Sequence, residues 1–100
     1  MSADDAGSFA PPPFRPAEAL VLLKRQLRDL KPLAEHGLRY EIKGRPVLEL
    51  STEEAAIVVR LARRPAPTPQ WTSTQLRSSL DLRRFVDDLK KRLRAWESEE

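Results

Sequence analysis

Apolar residues recur along this chain with two different periods. Leu20, Leu23, Leu27, Leu30 and Ala34 follow at alternating steps of three and four, which places them on one face of a helix beginning near Pro16. Proline suits a first helical turn, where an N–H would have no partner. Pro32 marks the point at which this helix ends or kinks, because its ring blocks the bond to the residue four back. Gly37 reads as the residue just past the end, with His36 beside it at the negative pole of the helix. From Leu38 the period drops to two. Leu38, Tyr40 and Ile42 alternate with Arg39, Glu41 and Lys43, the pattern of a strand with one wet face. Gly44–Arg45 is predicted as the turn and Val47, Leu48 and Leu50 as the return strand, where Pro46 argues for a sheet edge.

The second half reads as helical. Ser51-Thr52-Glu53-Glu54 has the form of a capping box, with Ser51 and Glu54 able to satisfy each other's end of the backbone. It predicts a helix over TEEAAIVVRLARR that buries some of Ala55, Ile57, Val58, Leu61 and Ala62 and stops at Pro65. RPAPTPQ is a stiff exposed connection, and Trp71 is the first large apolar anchor after it. Thr72 with Gln75 offers a second capping box, opening a short helix that carries Leu76 and Leu80. Residues 81–96, DLRRFVDDLKKRLRAW, form a last helix with Leu82, Val86, Leu89, Leu93 and Trp96 as its seam and Phe85 alongside. The expected fold class is α+β: one helix, a β-hairpin, then three helices. A single domain spans 17–97, between a flexible proline-rich tail at 1–16 and an acidic tail at 98–100.

Composition narrows the function classes. One hundred residues make one small domain. Without cysteine there is neither a disulfide framework nor a thiolate metal site. No apolar run approaches the roughly 18 residues of a membrane span, and the acidic, proline-rich start is unlike a secretory signal, so a cytoplasmic protein with no membrane partner is expected. Enzyme chemistry has little to build on. No nucleophile, base and orienting group stand together in the sequence, and Gly7, Gly37 and Gly44 form no phosphate loop. Glu53 and Glu54 are accounted for by helix capping, and the single histidine has no second ligand beside it. No catalytic residue, cofactor, metal or small-molecule substrate is expected.

Residues 46–95 resemble the winged-helix effector domain of OmpR-type response regulators. Leu50-Ser51-Thr52-Glu53-Glu54 stands where that family has a strand running into a helix start, and Arg64-Pro65 where it has a proline-bearing turn. Thr72-Ser73-Thr74-Gln75-Leu76 is similar to the start of its short capped helix, and Asp81 to Leu93 is similar to its recognition helix. The link between those two helices is shorter than in the family, and the C-terminal β-hairpin wing has no counterpart before Glu100. The resemblance implies a helix-turn-helix arrangement and a transcription-regulator-like function.

Charge gives that implication its candidate residues. Between Leu76 and Arg94 seven bases face three acids, a local net of +4 in a chain of net charge +3. Arg77, Arg83, Arg84, Lys90, Lys91 and Arg94 are the candidate nucleic-acid-binding residues. Arg83 and Arg84 stand where a groove-entering helix would reach base edges, and Lys90, Lys91 and Arg94 where it would touch phosphates. A solvated face laced with weak pairs remains the alternative, since Asp87 and Asp88 lie four residues before Lys91 and Arg92. A third reading takes the protein as an interaction module or adaptor subunit without nucleic acid. It would pair an apolar helix stripe with a protein partner or with its own copy, or dock through the proline-rich tail.

Overall fold

The structure is a computed structural model that describes residues 13–98. These residues form two helices and one sheet. Helix α1 (Pro16–Arg28) leads into strands β1 (Ala34–His36), β2 (Arg39–Ile42), β3 (Arg45–Thr52), β4 (Ile57–Ala62) and β5 (Trp71–Leu76), and helix α2 (Ser79–Ser98) follows. The strands pair antiparallel in sequence order, a five-stranded meander. The helices touch each other, with α1 against β3 and β4 and α2 against β5. They share one core with the inner face of the sheet.

The α+β class holds, but the arrangement of a hairpin followed by three helices does not. The segment expected as the TEEAAIVVRLARR helix is β4 and the turn before it. Ile57, Val59 and Leu61 are buried and alternate with half-buried Val58 and exposed Arg60, a period of two. β-Branched Ile and Val have stiff side chains that suit a pleated surface better than a helical turn. Ser51 caps nothing, because it lies in β3 opposite Val58. The short helix expected from Thr72 is likewise a strand, β5, paired along its length with β4. With two of the three expected helices replaced by strands, the helix-turn-helix arrangement falls, and a winged-helix layout with it.

The first half keeps more of its expected form. Leu23 and Leu27 are fully buried and Leu20 partly so, but α1 ends at Arg28, capped by Asp29, before Pro32 is reached. His36 and Gly37 are therefore not its C-terminal cap. His36 lies in β1, with Nε2 3.5 Å from Glu41, and Gly37 opens the turn to β2. The β2–β3 hairpin forms around Lys43 and Gly44, both at positive φ, one residue earlier than expected. Pro46 does not mark an edge, since β3 is a central strand. It sits at a register shift between Tyr40 and Glu41, a bulge that relieves the missing donor and lets both Val47 and Leu48 be buried. Of the expected flexible tail, residues 1–12 lie outside the described residues, as do 99–100 of the acidic tail. Phe14 packs half-buried against the core, and Ser98 closes α2.

One polar cluster fastens α1 to the sheet. The Tyr40 hydroxyl donates to Glu35 Oε2 at 2.8 Å, Arg28 Nε donates to Glu35 Oε1 at 3.0 Å, and Lys24 Nζ lies 3.9 Å from Oε2. The hydrogen bond from Tyr40, then that from Arg28, holds the Glu35 carboxyl below its ordinary range. Burial first, and the adjacent carboxylate second, push the Tyr40 phenol well above its own.

A depressed carboxylate stabilises a fold above its unfolded-state pKa, and that contribution fades as pH falls through the lower native value. In Tyr40→Phe the Glu35 carboxyl is expected to titrate at higher pH and its acid-range contribution to shrink. Carboxyl carbon shifts followed against pH measure this, and an unchanged Glu35 titration would contradict the clamp. Leu89, fully buried midway along α2, supplies a second test. Leu89→Ala should lower stability in urea unfolding by about 2–5 kcal/mol, against less than ~0.5 kcal/mol for Ala95→Ser on the exposed side.

Candidate nucleic-acid interface

Helix α2 begins with two side-chain caps. Ser78 Oγ accepts from the Asp81 N–H at 3.0 Å, while Asp81 Oδ2 accepts from the Arg77 N–H at 3.0 Å. The capping box expected at Thr72 and Gln75 does not form, since both lie in β5, and the cap is made instead by Ser78 and Asp81. From there the seam sets the orientation. Leu82, Phe85, Val86, Leu89, Leu93 and Trp96 are all buried against the sheet and α1. The Trp96 indole N–H also donates to the Arg63 carbonyl at 3.3 Å, fixing the far end of α2 to the loop after β4. The α2 seam is thus packed inside the molecule, and of the α1 stripe Leu23 and Leu27 are buried while Leu20 and Leu30 are partly so.

With the seam inward, the cations face out. Arg83, Arg84, Lys90, Lys91 and Arg94 are exposed and make no ion pair with any described residue. At 100° per residue, Arg83, Lys90 and Arg94 cluster on the flank towards α1, with Arg84 and Lys91 behind them. Of the pairs expected along this helix only that between Asp88 and Arg92 forms, at 3.1 Å. An exposed pair of this kind is worth a few tenths of a kcal/mol. Arg77 stands apart. It precedes α2, and its guanidinium donates to Gln75 Oε1, with Gln75 Nε2 donating to Glu53 at 3.0 Å.

A groove runs beside this ridge, between the two helices. At its open end a cleft of about 810 Å³ is lined by Phe14, Ala19, Leu22, Arg77 and Leu80, among others. It adjoins a second cleft of about 370 Å³, in which Leu22 and Gln26 of α1 face Leu82, Arg83, Val86 and Lys90 of α2. Leu22 and Leu80 remain 52% and 51% exposed, and they lie together in one cleft, which singly exposed Val21 and Leu38 do not. Nothing in the sequence pattern points here, because Leu22 lies off the α1 seam and Leu80 is expected on the short helix from Thr72 rather than at the start of α2.

The outer face of the sheet is different in kind. Glu49 pairs with Arg60 at 2.7 Å and with Arg39 at 3.6 Å, and the Arg60 guanidinium lies 4.8 Å from the centre of the Trp71 ring. Its cations are neutralised or stacked. Among the described residues no His, Cys, Asp and Glu group is placed to hold a metal ion, and no helix is long and apolar enough to cross a membrane. Among the described residues the groups with shifted titration are Tyr40 and Glu35, and both are absorbed in the clamp on α1. Comparison with known proteins leaves the geometry to stand by itself: no family model, curated protein or solved structure matches this chain.

Proposed function

We propose that this protein is a binding module that holds nucleic acid through the phosphate backbone, using the outward face of α2. The observation that carries the reading is the set of five exposed cations on that face without ion-pair partners among the described residues. Arg83 to Arg94 spans about 16 Å of helix, close to five base-pair steps of a duplex. A polyanion of regular spacing offers such a ridge many simultaneous contacts, whereas a single small anion would engage only one or two of its cations. A bilayer is a poorer match, because from Arg83 onward the exposed positions of α2 include no large apolar side chain to insert.

The mode differs from that of a recognition helix. The seam of α2 is packed on the core from Leu82 to Trp96, so the helix offers its side rather than its N-terminal end, and Arg83 and Arg84 join Lys90, Lys91 and Arg94 as phosphate contacts. Such contacts give affinity and register rather than base reading. Arg77, held by Gln75 at the β5 end, belongs at the margin of this surface.

Salt dependence tests the reading. With all five cations engaged, the log–log slope of affinity against salt for a labelled duplex is expected near −4.5, a loss of roughly 500-fold between 50 and 200 mM. Replacing Lys90 and Arg94 together by Ala should flatten the slope by about 1.8. Different duplex sequences should bind alike. An absence of binding at low salt, or a slope unmoved by that double variant, would overturn the proposal.

A further inference from the structure

We infer that the groove between α1 and α2 is a docking site for an acidic amphipathic helix of a protein partner. The floor is apolar and open, with Leu22 and Leu80 about half exposed above buried Leu82 and Val86. Its banks step in helical register. Residues 19, 22 and 26 line one side and 79, 82, 83, 86 and 90 the other. Two neighbouring helices with side chains at such spacings form a furrow into which the ridges of a third helix fit. The banks run for about 10 Å along α1 and about 16 Å along α2, the length of two to three turns.

Charge selects the occupant. Arg83 and Lys90 stand on the α2 bank with Asp87 the acid there. At the open end Arg77 stands with Arg15, whose partner Glu18 is the acid at that end, so bases outnumber acids four to two along the groove. A helix with leucine-like residues at i, i+3 or i+4 and i+7, flanked by Glu or Asp, satisfies floor and rim together. A second copy of this chain does not, because it would bring its own cationic ridge against this one. The site shares Arg83 and Lys90 with the phosphate-binding face, so an acidic partner seated here would displace nucleic acid. The apolar floor belongs to the groove alone.

The test is a titration of the full chain into a fluorescein-labelled peptide of roughly 18 residues, long enough to hold a helix, with Leu at three- and four-residue steps and Glu between. The control is a scrambled peptide of identical composition. Saturable binding is expected for the first and at least about tenfold weaker binding for the second. The Leu22→Ser, Leu80→Ser double variant, altered only at exposed positions, should lose about tenfold in peptide affinity and keep its duplex affinity within twofold. The peptide titration contains no nucleic acid, so it stands or falls independently of the phosphate-binding reading.

Failure of the peptide to saturate, equal binding of the scramble, or indifference to the Leu22 and Leu80 changes would overturn the inference. So would a dimer in sedimentation that the same double variant dissolves, since the occupant would then be a second copy. A tenfold gain in peptide affinity on changing Asp4, Asp5 and Phe9 to Asn, Asn and Ser would assign the groove to the chain's own first residues instead.

Discussion

The burial of one helix seam on one sheet decides what this molecule presents to its surroundings. Six large side chains of α2, from Leu82 to Trp96, leave water together. Each is worth about 1.5–3 kcal/mol when fully buried. Rotating the helix by even a quarter turn would withdraw several of them and press guanidinium or ammonium groups into the core, where an unpaired charge is strongly disfavoured. The cationic ridge is therefore a consequence of packing. It occupies the angle that the apolar seam leaves over, and the Ser78–Asp81 cap and the Trp96–Arg63 bond hold the two ends in that setting.

The same seam was the most legible part of the sequence. In α2, spacing at three and four residues extends over four turns, enough to override local ambiguity, and in α1 a shorter run sufficed. The β2–β3 hairpin was legible because Tyr40 and Ile42 alternate with charged neighbours and Gly44 marks the turn. The middle of the chain is ambiguous in sequence for a definable reason. In Ala55 to Ala62 nearly every residue is apolar, so a central strand and a buried helix leave the same trace, and the Ser51–Glu54 spacing tipped the choice towards a helix. β-Branched Ile57, Val58 and Val59 were the better guide. The polar run Trp71 to Gln75 carries no period at all. It becomes a strand because β4 offers it a ladder, an interaction invisible to local pattern.

The candidate site divides along the same line. Its cations were legible one by one, since charge is written in the residue type. Their release from the aspartates was not, because it depends on rotamers and on which flank α1 covers. The groove was not legible either. It exists only where α1 and α2 lie side by side, bringing Leu22 near a helix start some sixty residues further on. In the proposed reading two surfaces of different chemistry meet at Arg83 and Lys90, a cationic ridge and a groove with exposed leucines. Under the two proposals, a polyanion and an acidic helix would compete for Arg83 and Lys90.

The most direct measurement is a chemical-shift map of the full chain titrated with a short duplex at low salt. Shifts are expected to concentrate at Arg83, Arg84, Lys90, Lys91 and Arg94 and to leave Arg39, Glu49 and Arg60 on the outer sheet face unmoved. Shifts centred on the sheet face, or an unperturbed α2 at saturating duplex, would contradict the ridge as the functional surface.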